Sequence, residues 1–151
     1  MKQFRFPLQQ VLEVRENIEK QRQGEFVVAG QNVTEAEQVF EAMLRLQKNS
    51  IVSYREQQML NISPVESSQY FDYFCNLELQ MIQQLQTITE LKQEEEQKRE
   101  KLLEASQDKL VIEELEKKEK EQYRRLFQKR EQINIDDIST ITYNYRRKRQ
   151  R

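Results

Sequence analysis

Three consecutive carboxylates, Glu94-Glu95-Glu96, a single cysteine, Cys75, and two glycines, Gly24 and Gly30, are the residues that catalysis or metal binding would draw on. On a helix, adjacent side chains diverge by about 100°, so the three carboxylates do not converge on one ion and read as a solvated face. The sequence contains no histidine, which excludes a Ser-His-Asp triad, a Cys-His pair and any zinc site with a histidine ligand. One cysteine makes neither an intrachain disulfide nor a four-cysteine zinc site. Set among Phe74 and Asn76 in an aromatic run, Cys75 reads as a buried small hydrophobe. Two separated glycines do not form a phosphate-cradling loop. The expectation is a protein that is not an enzyme, with no metal, no cofactor and no small-molecule substrate.

Binding chemistry remains, and it collects at three places. Tyr123, Leu126, Phe127 and Ile133 supply bulky anchors at helical spacing, suited to a groove or ring on another protein or to self-association. Tyr54, Tyr70, Phe71, Tyr73 and Phe74 form an aromatic group, and Phe71 and Tyr73 lie off the helix-pairing line, which hints at a second contact surface. The terminal run "NYRRKRQR" carries Arg146, Arg147, Lys148, Arg149 and Arg151. Removing those five charges from the formal −1 leaves −6 for the rest of the chain. With only Tyr143 and Tyr145 available for stacking and no recognition module, the tail reads as a solvating or docking segment and not as a specific nucleic-acid reader.

The elements that position these residues follow from composition and period. Charged residues make up 34% of 151 positions, hydrophobic ones 36%, and glycine and proline together number four. That leaves few reversals and matches long helices and coiled coils; disorder is the competing reading of so much charge. The apolar period decides for helices. From Pro7 onward the stripe runs Leu8, Val11, Leu12, Ile18, Phe26, Ala29, Val33, Ala36, Val39, Phe40, Met43 and Leu46, at spacings of three and four. Arg15 and Arg22 fall on it, and Gly24 and Gly30 weaken that stretch; either glycine could mark close approach of a neighbouring helix or simple tolerance. After residue 64 a second seam runs through Tyr70, Phe74, Leu77, Met81, Ile88, Leu91, Leu102, Ala105, Ile112, Tyr123, Leu126 and Ile133. Charged interruptions stand at Glu95, Lys98, Lys109, Glu116 and Glu119.

Between the stripes lies "NISPVE", residues 61–66. Ser63 is an N-cap, Pro64 takes the first helical position and Glu66 the third, a capping box that ends one helix and starts another. A proline kink in one continuous helix is the alternative reading. The short loop makes the helices antiparallel neighbours. The spans are helix 1 at about 7–59, a turn at about 60–63, helix 2 at about 64–135 and a flexible basic tail at about 139–151. The fold class is all-α, a single antiparallel coiled-coil hairpin of two long helices, roughly 80 Å and 100 Å at 1.5 Å per residue. Residue i then faces residue 123 − i, so Pro7 meets Glu116 and helix 2 overhangs beyond it. There is no apolar signal segment at "MKQFRFPLQQ" and no run of 18 apolar residues, and the lone cysteine fits a reducing compartment; a cytosolic location is expected.

The opening "FRFPLQQVLEVRENIEKQ", the middle "SQYFDYFCNLELQMI" and the stretch "REKLLEASQDKLVIEELEKKEKEQYRRLFQKREQINIDDIS" resemble the flagellar export proteins of the FliJ type over nearly the whole length. Injectisome stalk proteins share the architecture. The resemblance implies a cytosolic component of the type III flagellar export apparatus, peripheral to the inner membrane and touching it only through that apparatus. It implies an antiparallel coiled coil similar to the central stalk of rotary ATPases, which binds the hexameric export ATPase FliI and promotes its assembly. It further implies contact with the export gate protein FlhA and with export chaperones. By position, the ATPase-facing candidates are Phe4, Leu8, Arg124, Arg125, Phe127 and Gln128. The gate-facing candidates are Met43, Leu46, Tyr73, Leu77 and Gln80, of which Met43, Leu46 and Leu77 are also seam positions.

Overall fold

The computed structural model describes residues 4–149, with side chains described through Tyr145. Arg151 of the basic run lies outside the described residues. The fold is an all-α helical hairpin: α1 spans Gln9–Met59 and α2 spans Pro64–Arg149, with no strand among the described residues. α1 starts two residues after Pro7. Pro7 and Leu8 form a turn whose hydrogen bonds run from the Gln9 N–H to the Phe6 carbonyl (3.3 Å) and from the Leu12 N–H to the Leu8 carbonyl (3.0 Å).

The reversal is built as the capping residues require. The Leu60 and Asn61 N–H groups donate to the Gln57 and Gln58 carbonyls at 3.0 and 3.3 Å, which closes α1. Asn61 takes the left-handed conformation, φ 61°, which asparagine tolerates better than other residues with a Cβ. The Ser63 N–H donates to Glu66 Oε2 (3.0 Å) and the Glu66 N–H donates to Ser63 Oγ (3.2 Å), so two orphan donors satisfy one another's side chains. The Ser63 backbone N–H holds the Glu66 carboxyl below the usual carboxylate range, with the Ser63 hydroxyl adding to the effect.

At its far end α2 departs from expectation. It continues to Arg149 instead of stopping near 135 and giving way to a flexible tail. No proline or glycine follows Pro64 to break it. Its polar residues are also tied into the helix: Gln132 Nε2 donates to Asp136 Oδ1 (3.1 Å), and the Thr140 and Thr142 hydroxyls donate to the Asp136 and Ile138 carbonyls (2.8 and 2.7 Å).

The chain divides into two compact units, Met1–Ile18 with Ala105–Arg151, and Glu19–Glu104. In the first, Phe6, Leu12 and Ala105 are buried, and Arg15 reaches Asp108 at 2.6 Å. In the second, Ala29, Val33, Ala36, Leu77 and Ile88 form the core. There Lys98 meets Glu25 (3.2 Å), Lys92 meets Glu37 (2.7 Å) and Gln84 Nε2 donates to the Ala36 carbonyl (2.9 Å). The register is the one that a reversal near residue 61 imposes: the paired numbers add to 123 for Arg15 with Asp108, for Glu25 with Lys98 and for Ser50 with Tyr73. Alanine occupies three of the eight buried positions, Ala29, Ala36 and Ala105. Small side chains are what a close helix contact needs, since each residue of such a pair can be covered from one side only.

Several seam assignments shift. Val11, Val39 and Leu46 are exposed, each at the edge of the stripe and beyond reach of a single neighbouring helix. Cys75 is exposed and not buried. Phe74 and Leu77 take the inward positions, and the residue one step after Phe74 is rotated away by about 100°.

The two glycines differ. A Cβ on Gly30 would lie 3.2 Å from Glu95 Oε1, whereas one on Gly24 meets nothing within 4 Å. Gly24→Ala should therefore stabilise the helix by about 1 kcal/mol, the propensity difference between the two residues. Gly30→Ala should gain less, because the Glu95 carboxylate has to move aside. Thermal melts followed by circular dichroism check the order.

Glu25 gives a pH dependence. Hydrogen bonding from Lys98 first, and then from Arg22, holds its carboxyl below the usual range. A carboxyl lowered in the folded state stabilises above its unfolded-state pKa, and that contribution is lost as pH falls through the folded value. The group is open to solvent, so the effect is small. Melting temperature should drop as pH falls below about 4.3, the unfolded-state value, and Glu25→Gln should shrink that drop.

Candidate partner-binding site

The first unit ends in an aromatic edge. Phe4, carried on the short lead before Pro7, lays its ring 5.5 Å from that of Tyr123 at 50°. The two rings and Phe127 line an open groove of about 640 Å³ whose other walls are Lys117, Lys120, Glu121 and Arg124. Of the cations, Lys117 is paired with Glu114 at 2.8 Å, and nearby Arg125 with Glu121 at 2.6 Å. Lys120 and Arg124 make no ion pair among the described residues. Phe4, Arg5, Phe6 and Gln9 line a further groove, about 620 Å³, with Glu116 and Lys120.

This geometry corrects the expected overhang. Tyr123 does have an intramolecular neighbour, because the lead reaches past Pro7 and covers it with Phe4. Leu126 is off the seam, at 59% exposure, while Phe127 is half-buried. The inward line steps from Glu119 to Tyr123 to Phe127, spacings of four that follow a 3.6-residue helix rather than a strict heptad. Ile133 is exposed, as are all described side chains of α2 from Gln128 on.

In the second unit the aromatic group gathers at the reversal. The ring of Tyr54 on α1 lies 5.1 Å from Tyr70, 6.2 Å from Phe71 and 6.0 Å from Phe74. Tyr54 Oη and Ser67 Oγ are 3.1 Å apart, and Ser50 Oγ donates to Tyr73 Oη at 3.4 Å. Tyr70 and Phe74 serve this cluster while Phe71, at 60% exposure, faces outward. Ser50, Ser53, Gln57, Gln69, Tyr70 and Tyr73 help to line an open, polar cavity of about 670 Å³ beside it.

The acidic run behaves as three separate groups: Glu95 lies against Gly30, Glu96 is bound to Arg99 at 2.6 Å, and Glu94 borders a shallow groove with Lys98. Among the described residues no group of three or more His, Cys, Asp or Glu is placed to hold a metal ion. Nor is any described helix long and apolar enough to cross a membrane.

A family model described as the flagellar FliJ protein matches residues 4–148. The chain belongs to the FliJ family. Comparison with curated proteins and with solved structures gave no match. As a FliJ protein the chain is a component of the flagellar export apparatus, in a family of non-catalytic components. Against that family background, the candidate residues divide by position. Phe4, Leu8 and Phe127 are half-buried, and Arg124, Arg125 and Gln128 are exposed; Phe4, Arg124 and Phe127 share the aromatic groove. Of the second set, Leu77 is only 4% exposed and belongs to the core, Met43 is half-buried, and Leu46, Tyr73 and Gln80 face solvent. The sequence reading missed Lys117, Lys120 and Glu121 as walls of the groove. Their positions seven, four and three residues before Arg124, on one helix face, were the available signal.

If Phe4 pins the lead onto α2, Phe4→Ala should free the first turn without unfolding the chain. An aromatic pair contributes about 0.5–1.5 kcal/mol beyond its burial, so amides near Gln9–Glu13 should exchange about threefold to tenfold faster. Amides of residues 19–59 should keep their rates. Hydrogen-exchange mass spectrometry reads both segments at once.

Proposed function

We propose that this FliJ-family chain acts as the stalk of the export ATPase ring. It binds the FliI hexamer through the aromatic edge of the first unit and promotes the ring's assembly and activity. The observation that supports this reading is the groove of Phe4, Tyr123 and Phe127, edged by Lys120 and Arg124, which make no ion pair among the described residues. Aromatic and arginine side chains at the centre of a contact are those that carry binding energy. Leu8 supports the lead, and Arg125 and Gln128 extend the surface along α2.

The second unit serves the export gate. Leu46, Tyr73 and Gln80 offer side chains to FlhA near the reversal, while Met43 and Leu77 position the helices beneath them. In this reading export chaperones dock on the same component, and the protein works on the cytoplasmic side of the inner membrane, at the export apparatus.

The pair Leu126→Asp and Phe127→Asp tests the ring contact. Leu126 is exposed and Phe127 half-buried at the end of the pairing, so helicity and melting temperature should change little. Affinity for the purified ATPase should fall about tenfold or more, with a matching loss of hydrolysis stimulation. Retained stimulation by a folded variant would refute the ring contact.

A further inference from the structure

The lead before α1 is held at two points of unequal strength. Phe6 is 7% exposed and belongs to the core of the first unit, and the turn that follows bonds back to its carbonyl from the Gln9 N–H. Phe4, two residues earlier, is only half-buried, and the ring it meets among the described residues is that of Tyr123. Arg5 between them is exposed. Phe4 is therefore free to swing out about Arg5 while Phe6 keeps the lead in place.

Phe4 also stands between two grooves. It lines the groove of Phe6 and Glu116 and the groove of Tyr123 and Phe127, and Lys120 borders both. With the Phe4 ring in place the two are separate. With the ring out they join along one face of α2 from Glu116 to Phe127, roughly 16 Å at 1.5 Å per residue. Tyr123 and Phe127 then lie side by side on the floor, four residues apart, a spacing against which a partner's apolar anchors dock.

We propose that Phe4 is a displaceable strap. In the free chain it covers the Tyr123 end of the groove, and a partner that takes the site replaces it with a bulky apolar side chain of its own. This inference rests on the assignment of the groove to the ATPase, and Phe4 belongs to that site as its resident occupant. Lys120 and Arg124 make no ion pair among the described residues, so the segment that brings the replacing side chain is acidic. The strength of the strap suits a switch. One aromatic pair favours the closed state about threefold to tenfold, enough to hold Phe4 on Tyr123 in the free chain and little enough for a partner to overcome.

Binding of the purified FliI ATPase to the full chain tests the strap. Removing an occupant that is closed most of the time raises the competent fraction, so Phe4→Ala should bind about threefold to tenfold more tightly than the unaltered chain. A residue that supplied contact surface alone would weaken binding when removed. The sequence holds no tryptophan, so fluorotryptophan incorporated in a Phe4→Trp chain gives a single fluorine resonance whose solvent isotope shift reports exposure. Exposure should rise when Tyr123→Ala is added in the free chain, and rise again when the ATPase binds the Phe4→Trp chain. Unchanged or weaker binding by Phe4→Ala overturns the strap, as does a fluorine no more exposed in the complex, or one that Tyr123→Ala leaves unmoved. If neither the unaltered chain nor Phe4→Ala binds the ATPase, the ring contact itself is wrong and the strap falls with it.

Discussion

The reciprocal bonds between Ser63 and Glu66 are the constraint on which the rest of the structure depends. A pair of helices has one seam, and a shift of register by a single residue would turn that seam about 100° out of contact. The reversal fixes which residue faces which. Because α2 starts at Pro64 and α1 ends at Met59, Glu25 finds Lys98 and Arg15 finds Asp108. The turn has little freedom of its own: Pro64 holds φ at the start of α2, and Asn61 takes the one left-handed conformation among the described residues. Polar groups on the seam, which would be a liability in a thicker core, are tolerated here because each can reach solvent at the edge. No described side-chain polar atom is buried without a hydrogen-bond partner.

Thin pairing also explains why so much apolar surface stays outside. With eight buried hydrophobic residues in the described chain, neither unit has a second layer to cover Val27, Val28, Leu79, Ile82 or the isoleucines of the α2 end. In a monomeric globule such surface would be a defect; in a component of a larger assembly it is the supply of contact residues. The charged seam works in the same direction. Glu25, held by Lys98 and Arg22, and Glu95, packed against Gly30, contribute specificity of register more than adhesion.

Much of this architecture was legible in the sequence, for identifiable reasons. Capping chemistry is local, so residues 61–66 revealed the reversal and its position fixed the register through simple counting. The buried seam followed from period. What escaped depended on where the partner helix ends. The sequence does not show that the lead before Pro7 folds against Tyr123, because that contact needs the turn at Pro7 and Leu8, which periodicity does not see. The heptad rule placed Leu126 on the seam where an unsupercoiled helix brings Phe127 inward. Cys75 was misplaced by its neighbours: an aromatic run reads as a core, yet on a helix only one residue in three or four of such a run can turn inward. Of the candidate site, the aromatic residues were visible as a helical stripe, and the roles of Lys120 and Arg124 were not, since those come from making no ion pair among the described residues.

The same reasoning separates two kinds of exposed surface on α2. Around Tyr123 and Phe127 the helix is half-covered by Phe4 and edged by Lys120 and Arg124, which leaves a concave apolar site with a positive rim. A partner there must bring a protruding residue and tolerate or neutralise positive charge. From Glu131 to Tyr145 the described side chains are exposed on all sides of the helix, and Ile138 and Ile141 form a convex stripe. A convex stripe is not filled; it is matched by another helix.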